Sequence, residues 1–455
     1  MEAVGAVVTT GIYCRPGCSA RPRSENMRAF PLPAAAEAAG YRSCLRCRPY
    51  RWPQSVGWAA PELVCRAVRL ILDGGLDNGS EEELGARLGI SARHLRRLFV
   101  AHLGATPDGL ARSARVHFAR RLLDDTDLTV TEIAFAAGFG SLRQLNRACQ
   151  EVFRESPRLL RARRRKSDRL VADGGLLLRL TFRGALDWNR LLAFFSSRAI
   201  PGVEHVSGDT YRRTIVSDGD PGVIELWPGG DDHLLLLAHL PHWQELVHLV
   251  QRVRRIAGLD FDLEEAAAHL GRDRTIGPLI AARAGLRPPG CWDAFETGVR
   301  TIVGQQVTLA GANTLTGRLV ERFGTRVPGL EPLGLTHLFP APGTLEDADL
   351  DGLGLTRTRA EAIRGLARAV AADRIRLDGS VSLDALISSL TAVKGLGSWT
   401  AHYLALRLGE PDAFPTTGSH LLEAERWRPW RALAATHLWL ARDAHEAPVR
   451  IRRAS

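Results

Sequence analysis

Residues 390–401 read LTAVKGLGSWTA. An apolar segment of helical character runs into a Gly-x-Gly turn at Gly395 and Gly397, and a second helical segment follows. The backbone N–H groups of such a turn, at the start of a helix, can bind a DNA phosphate. A Gly-x-Gly alone is a weak signal, so its meaning depends on the surrounding sequence.

The sequence before this turn changes character near residue 243. Strand-like stretches cover residues 176–182, 210–216, 223–227 and 234–240, and the pattern is mostly helical afterwards. This predicts one antiparallel sheet followed by a helical domain. Three aromatic residues, Trp399, Tyr403 and Trp439, lie in or after the second hairpin helix; each taken alone is more typical of core packing.

Three further segments strengthen the hairpin signal: PGCWDAFE at 289–296, GQQV at 304–307 and RWRPWR at 426–431. Together they resemble the AlkA family of 3-methyladenine DNA glycosylases, from about residue 176 to near the C-terminus. The resemblance implies that Gly395 and Gly397 bind DNA and that Trp399, Tyr403 and Trp439 form the base pocket. Electron-rich rings suit a flipped, positively charged alkylated base.

The chain departs from that family at the catalytic acid. The family has an aspartate just after the segment that reads PDAFPTT at 411–417, and the matching residue is Gly418. The helix and turn that normally follow are also missing, which predicts an impaired glycosylase. Trp399 occupies the place of the lysine that strand-nicking relatives use, so lyase chemistry is not expected. No cysteine follows Cys291, which excludes an iron–sulfur loop.

Four of the seven cysteines lie near the N-terminus, as Cys14-x3-Cys18 and Cys44-x2-Cys47. Two close thiolate pairs suit one tetrahedral zinc ion, and spacing alone favours a purely structural site. The surrounding segments, TTGIYCRP at 9–16 and CLRCRP at 44–49, resemble the N-terminal domain of the Ada family. That resemblance implies a zinc ion that is both structural and catalytic. It also implies that Cys14 accepts a methyl group from a methyl phosphotriester in DNA.

Between these regions, residues 58–165 contain a repeated pattern. Ser80-x-x-Glu83 and Thr129-x-x-Glu132 are capping boxes that each open a short helix. A glycine turn and a second helix, starting near Ser91 or Ser141, follow each of them. The second helices carry the residues expected to contact DNA, namely Arg93, His94, Arg96, Arg97, Arg143, Gln144, Asn146 and Arg147.

The same helices have apolar residues predicted to face inward, Leu95, Leu98 and Phe99 in the first and Leu142 and Leu145 in the second. Long polar side chains beside a buried stripe are what a major-groove helix needs. An ordinary helical bundle with a solvated face would rarely repeat at a constant offset. The pattern resembles the AraC-type regulator domain, which the Ada family also places after its zinc domain.

Composition agrees with a nucleic-acid partner. The formal net charge is +10 and its excess is almost entirely arginine, since the chain has only two lysines, Lys166 and Lys394. Arginine suits bidentate phosphate contacts, although genomic base composition can also enrich it. No apolar run approaches the ~20 residues of a membrane span, and the N-terminus lacks a signal-peptide pattern. The cysteine usage indicates a reducing cytoplasm.

We therefore expect a mixed α/β, mainly helical chain. The predicted regions are a zinc domain (1–52), a twin helix-turn-helix domain (58–165), a sheet subdomain (176–245) and a helix-hairpin-helix glycosylase domain (246–455). The expected partners are alkylated and promoter double-stranded DNA and RNA polymerase, with the protein monomeric.

Three functions compete at this point: a methyl-accepting regulator, a base-excising enzyme with a DNA-binding front half, and a plain transcription factor with a structural zinc. A proline-cysteine-histidine-arginine motif does not occur in the chain, so O6-methylguanine transfer is not supported.

Overall fold

The computed structural model describes residues 4–20, 22–52, 60–77, 79–415 and 423–446, the side chains of 442–446 excepted. The mixed, mainly helical architecture expected from the sequence is confirmed. None of the described helices is long and apolar enough to cross a membrane.

A small four-stranded sheet forms the N-terminal region. Its strands are β1 (Val4–Val7), β2 (Ile12–Cys14), β3 (Met27–Phe30) and β4 (Arg42–Ser43), arranged in the order β3-β1-β2-β4. β1 pairs antiparallel with β2 and β3, and β2 pairs parallel with β4. One helix, α1 (Pro33–Ala38), covers the sheet, and the core between them is small. With so little apolar surface buried, a folding unit of this size is only marginally stable by itself. A bound metal ion can supply the stability that the small core lacks.

Two helix-turn-helix units follow. The helices are α2 (Glu62–Leu72), α3 (Glu81–Leu88), α4 (Ala92–Leu103), α5 (Pro107–Asp125), α6 (Val130–Ala136), α7 (Leu142–Phe153) and α8 (Pro157–Ala162). Both predicted capping boxes are present, at the starts of α3 and α6. Gly89 and Gly138 each adopt positive φ in the turn that follows, a conformation that favours glycine. The long helix α5 joins the two units.

A five-stranded antiparallel sheet comes next: β5 (Leu176–Thr181), β6 (Glu204–Ser207), β7 (Thr210–Ser217), β8 (Asp220–Gly230) and β9 (His233–His239), in the order β5-β9-β8-β7-β6. Helix α9 (Trp188–Ser197) packs on it. The four predicted strands are confirmed. The sequence missed β6, because this edge strand has no buried residue and shows no apolar alternation.

The remaining chain is mostly helical, as predicted from about residue 243. Its elements are α10 (Leu246–Ile256), α11 (Leu263–Leu270), α12 (Gly277–Ala282), α13 (Ala294–Val303), α14 (Leu309–Phe323), β10 (Thr325–Arg326), β11 (His337–Leu338), α15 (Pro342–Leu345), α16 (Arg357–Ala371), α17 (Leu383–Thr391), α18 (Ser398–Arg407) and α19 (Arg431–Glu446). Helices α11–α19 share one apolar core.

The apolar cores do not follow the repeat in the sequence. The second helix-turn-helix unit, the five-stranded sheet and α10 share a single core, which includes Phe139 and Val247. The first helix-turn-helix unit has another core, built from α2, α3, α4 and the start of α5 together with Leu32 and Ala34 of the N-terminal region. The second unit is therefore continuous with the large sheet, whereas the first unit attaches to the sheet and the glycosylase region through other contacts.

Candidate functional site

Strand pairing brings the four N-terminal cysteines together. Cys14 ends β2, and Cys44 follows the parallel strand β4, where its N–H donates to the Tyr13 carbonyl at 3.0 Å. Cys18 and Cys47 lie in or beside the turns that follow. The four Sγ atoms lie within 4.8 Å of one another.

This sulfur cluster fits a tetrahedral zinc ion. Zn–S bonds of about 2.3 Å place four sulfurs roughly 3.8 Å apart, a spacing compatible with the observed cluster. Cys14 and Cys44 are buried. Hydrogen bonds from neighbouring thiols raise the pKa of Cys14 and lower that of Cys44. Four soft sulfur donors at this spacing suit a soft divalent metal ion.

The cysteine cluster is attached to helix α5 on the Cys14 side. Tyr13 Oη donates to Glu37 Oε1 at 2.6 Å and lies 3.1 Å from His117 Nε2. His117 belongs to α5, and its Nε2 is 2.8 Å from the same Glu37 oxygen. Tyr13 precedes Cys14 directly, so the residue beside the expected methyl acceptor contacts the helix that joins the two DNA-binding units.

A second attachment lies on the Cys47 side. Arg48 follows Cys47 in a left-handed conformation, is buried, and pairs with Asp168. Its Nη1 also lies 3.7 Å from Asp124 of α5, a residue that accepts a hydrogen bond from Tyr50 at 2.9 Å. Both aspartates lie far from Arg48 in the sequence, so no local pattern indicates these two pairings.

The predicted DNA-contacting residues lie on α4 and α7. Helix α4 carries Arg93, His94, Arg96 and Arg97, and helix α7 carries Arg143, Gln144, Asn146 and Arg147. Arg93 and Arg143 occupy matching positions, two residues after the N-caps Ser91 and Ser141, and both are exposed. In the described part of the chain, neither of them has a hydrogen bond or an ion pair.

Several of the other predicted contacts already have partners. Arg96 pairs with Glu81 at 2.8 Å, Arg147 pairs with Glu151 at 2.9 Å, and Gln144 accepts from the Gly140 N–H at 2.9 Å. The inward placement of Leu142 was wrong. It is 39% exposed, because the first residue of α7 precedes the turn that packs on α6, whereas Leu145 is fully buried.

The Gly-x-Gly stretch forms the predicted turn between α17 and α18. Gly395 has φ of 95°, and a Cβ there would lie 3.0 Å from Ala362 Cβ, so both conformation and packing require glycine. Gln305 Nε2 donates to the Gly395 carbonyl at 3.1 Å. Gly397 caps α18 and has no atom within 4 Å of an added Cβ. An added Cβ at Gly397 would therefore face open space, and no side chain of the N-cap residue caps the start of α18.

The three predicted pocket aromatics meet in one cavity of about 340 Å³. Trp399 and Tyr403 stack with ring centroids 5.2 Å apart and an interplanar angle of 7°, and Trp439 lies 5.9 Å from Tyr403. Trp399 is 41% exposed, so core packing does not explain it. A flat base can lie against such rings.

The structure adds two carboxylates that sequence reasoning did not assign to this cavity. Glu296 binds Arg213 through two hydrogen bonds of 2.6 and 3.2 Å, and burial raises its pKa. Glu204 accepts from Tyr211 Oη at 2.5 Å and lies 3.6 Å from Arg300. Both line the cavity. Glu296 stands in the PGCWDAFE segment, but only the tertiary structure brings it to the aromatic rings.

Gly418 lies outside the described residues. Of the acids near it in sequence, Asp412 is paired with Arg428 and with Arg431 Nε at 2.7 Å, and Glu423 lies 4.0 Å from Arg426. Neither of them is among the residues that line the aromatic cavity.

These features define a DNA-binding protein with a thiolate metal centre, paired helix-turn-helix units and a glycosylase-type helical domain. Family models match in that order: the metal binding domain of Ada at 2–50, a helix-turn-helix domain at 84–163, the AlkA N-terminal domain at 177–293 and the HhH-GPD superfamily of base excision DNA repair proteins at 299–436.

Whole-chain similarity shows the family. The chain is 36% identical over 458 residues to the probable bifunctional transcriptional activator/DNA repair enzyme AlkA of Mycobacterium tuberculosis, with 96% of this chain and 92% of the relative covered. It therefore belongs to the family in which Ada-like zinc and helix-turn-helix regulator domains are fused to an AlkA-like glycosylase domain.

Two partial relatives match the C-terminal half. DNA-3-methyladenine glycosylase 2 of Escherichia coli K12 is 34% identical over 279 residues, which cover 57% of this chain and 95% of that protein. The solved 3-methyladenine DNA-glycosylase of Archaeoglobus fulgidus has a TM-score of 0.51 at 22% identity, covers 59% of this chain and 99% of its own, and shows the fold alone.

Proposed function

We propose that Cys14 accepts one methyl group irreversibly from a methyl phosphotriester in DNA, and that the methylated protein binds promoter DNA more tightly and activates repair genes. The observation that carries this proposal is the convergence of four thiols with Cys14 at the end of β2. RNA polymerase as a partner and a monomeric state belong to the same proposal.

The reaction is a displacement at the methyl carbon. The Cys14 sulfur forms an S–C bond while the O–CH3 bond breaks, and the leaving group is a stabilised phosphodiester anion. A bound zinc ion keeps the sulfur as a thiolate at neutral pH. Arginines close to the four cysteines, among them Arg15 and Arg46, attract the phosphates of DNA to the cysteine cluster.

Methylation changes the charge of the centre. Four thiolates around a divalent cation carry about two net negative charges, which repel phosphate, and a thioether in place of one thiolate removes one of them. DNA affinity therefore rises, most strongly at low salt. The contacts of Tyr13 with His117 and of Arg48 with Asp124 supply a direct route to α5, since the residues beside Cys14 and Cys47 pack on that helix.

The test is transfer of a radiolabelled methyl group from alkylated duplex DNA to the full chain. We expect one methyl per protein on Cys14 and none in Cys14→Ala. Cys65→Ala is the matched control, because Cys65 is a buried thiol outside the cluster whose burial raises its pKa to about 11. Label on Cys14→Ala, or equal promoter affinity before and after methyl iodide treatment, would contradict the proposal.

We further propose that the glycosylase domain binds DNA but excises alkylated bases poorly. Glycosidic cleavage builds positive charge on the sugar. Losing a preorganised carboxylate against that charge costs about 10²–10³ in rate. Gly418 supplies no carboxylate, and Asp412 is engaged by Arg428 and Arg431.

Single-turnover excision of 3-methyladenine from duplex DNA tests this second proposal. The full chain is compared with a variant in which the missing segment is rebuilt around an aspartate at 418. We expect the rebuilt chain to cut about 10²–10³ times faster. Equal rates would favour the alternative of an active glycosylase, and Glu296→Gln and Glu204→Gln would then identify the acid, because both carboxylates line the cavity.

A further inference from the structure

A second cavity lies where three regions of the molecule meet. Its volume is about 210 Å³. Tyr50 and Trp52 from the end of the zinc region, α2 and α5 from the regulator region, and α10 with residues 408–411 from the glycosylase region contribute to its walls. It shares few residues with the aromatic cavity and has no place in the chemistry proposed above.

The charged residues that line this cavity are paired, with one exception. Arg69 pairs with Glu410 at 2.7 Å, Arg255 with Asp73 at 2.5 Å, and Arg254 with Asp260 at 2.6 Å. His117 contacts Glu37 at 2.8 Å. Arg121, on α5, has no hydrogen bond or ion pair anywhere in the described residues.

In the described part of the chain, the acids near Arg121 are Asp125 and Asp260, and both are paired with other arginines. The Nε atom of Arg121 is inaccessible to solvent and unpartnered, and its guanidinium lies 5.2 Å from the Phe118 ring. Asp125, one turn further along α5, binds Arg51 at 2.6 Å. Burial, with a contribution from nearby Arg254, lowers the pKa of Arg121 to about 10. The side chain as a whole is partly buried and its guanidinium is still charged at neutral pH, and an unpaired charge that is partly withdrawn from water is costly.

The remaining walls are largely apolar. Tyr50, Trp52, Val68, Leu72, Leu110 and Phe261 line the cavity. An apolar cavity of about 150 Å³ is large enough to hold benzene, so the observed volume accommodates a ring with a small polar group. One unpaired cation, in a cavity whose other charged residues are paired and whose remaining walls are largely apolar, matches one negative charge and does not match a phosphate dianion.

We propose that this cavity binds a small organic monocarboxylate with an aromatic or branched aliphatic body, and that Arg121 holds its carboxylate. The ligand's carboxylate can accept two hydrogen bonds from this guanidinium, which has no ion-pair partner among the described residues. Because residues of the zinc, regulator and glycosylase regions all contact the space, the ligand binds the docked arrangement of the three regions and stabilises it by mass action.

The test uses the full chain with benzoate as the probe and thermal unfolding as the measurement. Benzamide has the same shape without the charge, and inorganic phosphate has the charge without the ring. We expect benzoate at millimolar concentration to raise the Tm, with little effect from the other two. No benzoate effect, or an equal effect of benzamide, would overturn the proposal.

The variant Arg121→Met tests whether Arg121 binds the carboxylate of the ligand. The variant should lose at least tenfold in benzoate affinity. Without ligand it should be as stable as the natural chain or more stable, because an unpaired, partly buried charge is removed. Arg120→Met is the matched control, since Arg120 is buried beside it but pairs with Asp124 at 2.6 Å. That variant should unfold at lower temperature. Unchanged benzoate affinity in Arg121→Met would also overturn the assignment.

Discussion

The two helix-turn-helix units are alike in local structure and different in how they are held. Each contains a capping box, at the start of α3 or of α6, in which the N-cap oxygen accepts from the N3 amide at 3.2 Å. Each has a positive-φ glycine in its turn and a serine that caps the second helix. Because these features depend on residues close in sequence, the repeat reproduces them in both units.

Their attachments are of opposite kinds. The second unit shares an apolar core with the sheet and α10, and a Cβ at Gly138 would lie 3.5 Å from Val247 Cγ1. The first unit contacts the glycosylase region through polar groups: Arg66 donates to the Ser380 carbonyl, Arg69 pairs with Glu410, Arg87 with Asp378, Asp73 with Arg255 and Asp77 with His248. A shared apolar core makes two regions unfold together, whereas ion pairs let one region open by itself.

The largest difference is expected from a matched pair of core truncations just after the two turn glycines. Phe139→Ala should cost about 3–5 kcal/mol, because Phe139 is buried in the shared core. Ile90→Ala should cost less than about 2 kcal/mol, since Ile90 is only partly buried. Hydrogen exchange should show that the first variant weakens α6, α7 and the β5–β9 sheet, and the second only α3 and α4. An effect of Phe139→Ala confined to α6 and α7 would contradict the shared core.

DNA binding should be sensitive to both units. Arg93→Ala and Arg143→Ala should each weaken promoter binding by about 1–3 kcal/mol if these arginines contact bases, or reduce the salt slope by about 1 if they contact phosphate. Arg147→Ala is the control, because Arg147 is already paired with Glu151, and its effect should be smaller. If only one of the two variants loses promoter affinity, only one of the helices α4 and α7 enters the major groove of DNA.

The caps test whether equal local geometry gives equal local stability. Ser80→Ala and Thr129→Ala should each cost about 1 kcal/mol, since each removes the hydroxyl that satisfies an N3 amide. Denaturant unfolding of the two variants measures the two costs. Costs that differ by more than the usual spread for caps would show that tertiary packing already fixes one helix start.

The smallest effect should be a pH dependence of the stability of the first helix-turn-helix unit, with no such dependence in the second. Burial opposes the charge of His248, but its hydrogen bond to Asp77 and that carboxylate's charge outweigh burial and raise the pKa of His248. The stabilisation is therefore complete below about 6.5, the ordinary histidine value, and is lost as pH rises through the raised pKa. After division by the intrinsic exchange rate at each pH, the protection of amides in α2 and α3 should fall over that interval.

His248→Gln should remove this pH dependence. His239→Gln serves as the control, because His239 lies on β9 and does not contact the first unit. If the protection of amides in α2 and α3 keeps the same pH dependence in His248→Gln, the His248–Asp77 contact does not hold the first unit in place.

Local signals in the sequence determined much of this protein. The cysteine spacing, the capping boxes, the turn glycines and Gly395 each predict a structure set within a few residues, and the fold class, both helix-turn-helix units and four strands of the large sheet followed from them. Edge strand β6 was not predicted, because it buries no residue. Leu142 was predicted to face inward, and this was wrong, because helical periodicity alone does not distinguish the exposed first turn of a helix from its buried face.

Tertiary structure alone decided how these parts combine. It placed Glu204 and Glu296, from a strand and a helix far apart in sequence, against the aromatic cavity. It paired Arg48 with Asp168, and it attached the first helix-turn-helix unit to the glycosylase region by ion pairs and the second by a shared core. Among the residues that the structure describes, it also left Arg121 without an ion-pair partner. Charges and apolar surfaces find partners according to distance in space, which a single sequence does not encode locally, whereas caps and turns are satisfied by neighbours along the chain.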